Sequence, residues 1–166
     1  KFPLYVGTLE YDLAQSVLYN DYKKNHLHVY SLIKEHKLFS PQIIKELVKD
    51  PMVKGMFCVP KYSNPNGVTY SDKVVKELAS IQPAAKDFRV IWDNAYIIHE
   101  LTDTPDVLMN IFDACKEYGT EDNFVEFTST SKISFPGAGV SAIAASDNNI
   151  AEISNERCCN QAEIDN

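Results

Sequence analysis

Hydrophobic positions fall into two kinds of pattern between residues 40 and 147. Short, largely apolar runs bounded by turn formers predict buried strands over 54–60, 88–92, 123–128 and 139–146. Between them, apolar side chains recur at three- and four-residue intervals: Ile43, Ile44, Leu47 and Val48, then Val74, Val75, Leu78 and Ile81. That spacing predicts helices over 41–49 and 71–81. Ser40 before Pro41 reads as a cap followed by a first-turn proline, and Asp50-Pro51 stops the helix. Thr104, Pro105 and Asp106 combine a cap, a proline and an acid near the positive end of the dipole. They predict a third helix over 105–118, closed by Gly119. Strands alternating with helices imply an α/β fold with a mostly parallel sheet flanked by helices.

The ends of the chain read differently. Residues 1–39 are expected to be a helical segment, with Leu13, Ala14, Val17, Leu18 and Tyr22 on one face. Residues 29–33 either continue it or form a strand. Residues 149–166 are polar, carry no cap or strand pattern, and are expected to be an irregular tail, either helical or disordered.

Composition narrows the partners. Sixteen basic against 23 acidic side chains give a net charge of −7, which argues against nucleic acid and anionic membranes, since phosphates are held by clustered Lys and Arg. No window approaches the ~20 apolar residues of a membrane span, and no signal peptide is expected. Cys58 and Cys115 sit in apolar runs, as buried thiols do, and the chain has no CxxC pair. A reducing, cytoplasmic setting is expected. His26 and His28 lack a third ligand, so no metal site is expected. His99 follows two isoleucines and reads as a structural side chain.

The chemistry gathers where an open α/β sheet binds its ligands, beyond the carboxyl ends of parallel strands. Ser63-Asn64-Pro65-Asn66-Gly67 follows the first predicted strand, Asp93-Asn94-Ala95-Tyr96 the second, and Ser129-Thr130-Ser131-Lys132 the third. A lysine whose pKa is lowered by burial can form a Schiff base with an aldehyde. A carboxylate opposite a pyridine nitrogen keeps it protonated, so that the ring acts as an electron sink. An amide and a phenol can bond the ring's oxygen, and neighbouring hydroxyls a phosphate.

The segments YSNPNG (62–67), WDNAY (92–96) and STSK (129–132), in this order, resemble class I aminotransferases of the fold-type I pyridoxal-phosphate superfamily. The longer stretches around them are similar to a bacterial-type subgroup of aspartate aminotransferases. The separations match: 29 residues from Asn64 to Asp93, 3 to Tyr96 and 36 to Lys132. The resemblance implies pyridoxal 5'-phosphate as cofactor, amino-acid and 2-oxo-acid substrates, and a homodimer for a full-length protein. It makes Lys132 the catalytic lysine that carries the cofactor and Asp93 the partner of the pyridinium. Asn64 and Tyr96 would bond the ring oxygen, and Ser129 and Ser131 the phosphate.

The resemblance covers residues 43–148, so 40–148 are expected to be part of a large cofactor-binding domain and the chain a fragment. Two features of the family are missing. Residues 1–42 show no phosphate loop, and the only arginines are Arg89 and Arg157, neither placed to grip a substrate carboxylate. The alternative expectation is therefore a catalytically dead α/β remnant or interaction domain.

Overall fold

A computed structural model describes residues 3–6, 28–31, 41–63, 67–100, 102–134 and 138–164. Six strands form one sheet: β1 (Pro3–Val6), β2 (His28–Ser31), β3 (Gly55–Cys58), β4 (Arg89–Asp93), β5 (Phe124–Ser129) and β6 (Ser141–Ala145). Their order is β2-β1-β3-β4-β5-β6, and every neighbouring pair is parallel except β5 with β6. The expected mostly parallel α/β sheet is thus the observed one. The four predicted strands appear as β3 to β6: β3 and β6 are trimmed by one or two residues at each end, and β4 and β5 are shifted one residue toward the C-terminus. Trimming at β3 has a local cause: Pro60 has no N–H for the ladder, and its carbonyl accepts from Tyr70 instead, at 2.8 Å.

Helix α1 (Pro41–Leu47) opens on its proline and buries Ile44. Helix α2 (Asp72–Ala79) is capped by Ser71, whose Oγ accepts from the Val74 N–H. It buries Val75, Leu78 and Ala79 on the face that the periodicity marked. Together with α3 (Ile111–Lys116), these helices share a core with the inward residues of the sheet: Met56, Cys58, Val90, Trp92 and Phe124. Trp92 sits at its centre, with Tyr70 and Phe124 edge-on at 5.8 and 6.0 Å between ring centroids.

Three expectations are corrected. The helix expected over 105–118 begins only at Ile111. Asn110, not Thr104, is its cap: Asn110 Oδ1 accepts from the N–H groups of Phe112 and Asp113 at 2.9 and 3.2 Å. The Thr104-Pro105-Asp106 signal met a tertiary competitor: the Asp106 N–H, a first-turn donor that a Thr104 cap would have satisfied, donates instead to Tyr62 Oη at 3.0 Å. Val107, which a helix there would have placed near its first turn, is 85% exposed. Gly119 does lie beyond the helix end, in the left-handed region at φ +65°.

The second correction lies in residues 1–39, where 3–6 form a strand that was not expected; 28–31 take the strand alternative, and both strands join the sheet in parallel. The helix expected over 13–22 lies outside the described residues. The third concerns the polar end of the chain. It forms helix α4 (Asp147–Ile164) rather than an irregular tail. Ser146 starts it, its Oγ accepting from the Asn149 N–H at 3.3 Å. Asn149 then anchors it: its amide donates to the carbonyls of Asp122 and Phe124 and accepts from Arg89 Nε at 2.9 Å. No helix among the described residues is long and apolar enough to cross a membrane.

Candidate active site

Side chains alternate across a strand, so β4 sends Val90 and Trp92 into the core and Ile91 and Asp93 to the other face. Parallel register sets Asp93 beside Phe127, and two residues further β5 brings Ser129 to the same face. The chain continues past β4 as a turn, with the Ile97 N–H bonded to Asn94 O and the His99 N–H to Tyr96 O. Past β5 it makes a second turn, in which Thr130 O accepts from the N–H groups of Ile133 and Ser134. These two turns carry Tyr96 and Lys132, and the Asn94 N–H ties them at their roots by bonding Phe127 O at 2.8 Å.

Two of the groups meet directly. Lys132 Nζ lies over the Tyr96 ring, 5.4 Å from its centroid. Asp93 is half-buried, and burial holds its carboxyl above the ordinary value. The Ala95 N–H and the positive field of Lys132 offset part of that rise. No ion pair holds Asp93 among the described residues, so it is a desolvated carboxylate whose only cationic neighbour acts at a distance. Its charge, after burial, helps push the Cys58 thiol up. Ser129 Oγ and Ser131 Oγ are hydrogen-bonded to each other at 2.7 Å. The remaining expected ligand, Asn64, lies outside the described residues.

The Lys132 turn is fixed by close packing as well as by bonds. Thr130 exchanges two bonds with Val140: its N–H donates to the Val140 carbonyl, and its Oγ1 accepts from the Val140 N–H, each at 2.9 Å. A side chain at Gly139 would put its Cβ 3.1 Å from the Ser131 Cα, so glycine lets the two backbones lie this close without a shift of a few tenths of an ångström.

The sequence did not mark several residues at this edge. Lys61, 5% exposed, donates to the Ile97 carbonyl at 3.1 Å and pairs with Glu100 at 3.7 Å, joining the end of β3 to the Tyr96 turn. A lysine directly after a buried apolar run was the available signal. Tyr62 holds a left-handed φ of +47°, uncommon for a non-glycine residue, as the chain enters the SNPNG loop. Behind the Tyr96 turn a cleft of about 310 Å³ is lined by Lys61, Asn94, Glu100 and Glu126 among others. Asn94 Nδ2 bonds Glu126 there at 2.7 Å.

A carboxylate, a phenol, two hydroxyls and a lysine thus stand at or just beyond the carboxyl ends of two adjacent parallel strands. The chain belongs to the aspartate amino-transferase family, whose sequence model matches residues 39–161. An aspartate aminotransferase of Corynebacterium glutamicum is 48% identical over 106 residues, which cover 64% of this chain and 24% of that protein. The crystal structure of an aspartate transaminase from the same species superposes with a TM-score of 0.84 and 34% identity, over 96% of this chain and 37% of that one. A pyridoxal-phosphate-bound C-S lyase from Staphylococcus hominis shares the fold at 18% identity, with a TM-score of 0.64 over 94% of this chain and 38% of its own. The chain thus spans about a quarter of the length of that curated relative.

Proposed function

We propose that the chain is part of the large domain, centred on residues 40–148, of a pyridoxal-5'-phosphate-dependent aminotransferase acting on aspartate and 2-oxoglutarate. The observation that carries this reading is the approach of Lys132 Nζ to the Tyr96 ring, near a half-buried Asp93 that no ion pair holds among the described residues. Family membership and the likeness to an aspartate transaminase support it.

The residues suit the cofactor. A desolvated carboxylate lacking a cation is the partner a protonated pyridine nitrogen requires, and such a partner would reverse the cost of burying Asp93. When bound, pyridoxal phosphate supplies an aldehyde for covalent capture and a ring that draws electrons from the α-carbon of an amino acid. Lys132 Nζ supplies the capturing amine and, once displaced by substrate, accepts the α-proton as general base. Asp93 holds the proton on the ring nitrogen. The Tyr96 hydroxyl and the Asn64 amide donate to the ring oxygen, and Ser129 and Ser131 hold the phosphate. The full enzyme is a cytoplasmic homodimer in this reading.

Substrate carboxylates need cations, and Arg89 is engaged elsewhere, with Asn149 and Glu152. Losing one buried charge-assisted contact costs about 2–5 kcal/mol. The 166-residue chain alone should therefore capture the cofactor weakly and show no measurable transamination. Borohydride reduction of the chain with pyridoxal phosphate, followed by peptide mass spectrometry, should place the adduct on Lys132. An adduct spread over surface lysines, or one that survives Lys132→Ala at full yield, would refute the reading.

A further inference from the structure

His99 touches both turns of the site. Its Nε2 lies 3.3 Å from the carbonyl oxygen of Lys132, and its ring meets the Tyr96 ring edge-on, 5.3 Å between centroids and 76° between planes. Its own N–H bonds Tyr96 O at 3.0 Å. A carbonyl oxygen only accepts, so Nε2 is the ring nitrogen that bears the hydrogen and donates. Nδ1 is buried and has no partner among the described residues, so the ring's one directed bond is the bond to Lys132.

The hydrogen bonds inside the Lys132 turn run to Thr130 O, not to Lys132 O. Among the described residues His99 is the donor that reaches the Lys132 carbonyl. The residue that carries Lys132 Nζ is thus held at its backbone from the opposite turn, and the Tyr96 ring is contacted by His99 and by Lys132 Nζ.

We propose that His99 is a positioning residue, which clamps the Lys132 turn to the Tyr96 turn and so fixes the amine over the phenol. Reaction depends steeply on placement, since an error of about 1 Å in a reacting group costs on the order of a hundredfold in rate. The role of the clamp in catalysis rests on Lys132 being the cofactor lysine; its mechanical part does not.

Two variants of the full chain separate the parts. His99→Gln keeps an N–H donor at similar reach, and His99→Phe keeps the aromatic edge but removes the donor. Hydrogen exchange, read by mass spectrometry, reports the amides of the 130–134 turn directly. His99→Phe should speed their exchange about three- to tenfold, the loss of one net hydrogen bond, and His99→Gln should stay within about twofold of the parent. Peptides covering β4 should not change in either variant. The initial rate of borohydride-trapped adduct formation on Lys132 should fall in His99→Phe and recover in His99→Gln.

Unchanged exchange at 130–134 in His99→Phe overturns the clamp, as does equal loosening by both variants. Loosening that extends through β4 also overturns it, because His99 would then support the fold at large. If the turn loosens as expected while the parent forms no adduct on Lys132, the clamp stands and the cofactor reading fails.

Discussion

The two sides of β4 obey different rules. On one side Trp92 is fully buried between Tyr70 and Phe124, in the apolar core shared by the sheet and three helices. On the other, one residue along, Asp93 is a half-buried carboxylate without an ion-pair partner among the described residues, near a solvent-exposed lysine. The first arrangement stores stability. The second spends some of it, as sites that need perturbed groups do. A single strand supplies both because alternation lets neighbouring residues face opposite solvents.

Substitutions can break that contrast. Trp92→Ala should destabilise the chain by about 3–5 kcal/mol, much of the ~5–15 kcal/mol that holds a domain together. Urea unfolding measures it, and a loss below about 1 kcal/mol would mean that the core does not rest on this ring. Asn149→Ala should cost about 1–3 kcal/mol, because it strands Arg89 Nε and two carbonyls at the foot of the sheet. Its effect belongs wholly to the stable side, so the yield of trapped adduct per folded molecule should be unaltered.

The smallest effect has the opposite sign. Burial raises the Asp93 carboxyl above its unfolded value, so folding favours its protonated form. The stability linked to this group is complete below the unfolded carboxylate range and is lost as pH rises through the raised value. Asp93→Asn removes that loss. In the cofactor-free chain the variant should melt higher than the parent at neutral pH, with the gap closing in acid, while its capture of pyridoxal phosphate declines. Equal melting temperatures at neutral pH would show that burying this charge costs nothing.

The same contrast explains what was legible beforehand. Core-facing positions announce themselves: Val75, Leu78, Val90 and Trp92 are all buried, and strand ends followed from the apolar runs that stop at turn formers. Asp93, Tyr96 and Lys132 could be brought together on paper because parallel strands put their carboxyl ends along one edge. Legibility failed where a local signal met a tertiary competitor. Thr104-Pro105-Asp106 has the residues of a helix start, but the Tyr62 hydroxyl, 44 residues away, claims the Asp106 N–H. Helix α4 has little amphipathic pattern, and it is docked by polar side chains, the amides of Asn148 and Asn149 and the carboxylate of Glu152, which no periodicity reveals. His99 was read as structural because its two partners, Tyr96 and the Lys132 carbonyl, meet only after β4 and β5 pair.

The lone antiparallel pair, β5 with β6, has a kinetic consequence. Ser129 meets Ser141 across the connection 130–140, whereas Asp93 meets Phe127 only by closing a loop roughly three times as long. By loop-closure entropy the longer loop costs about 1 kcal/mol more to close. Contacts of short sequence separation form first when other things are equal. The bend that bears Lys132 is thus shaped within its own hairpin, ahead of the crossover that delivers Asp93. Lys132 is in place before Asp93 arrives.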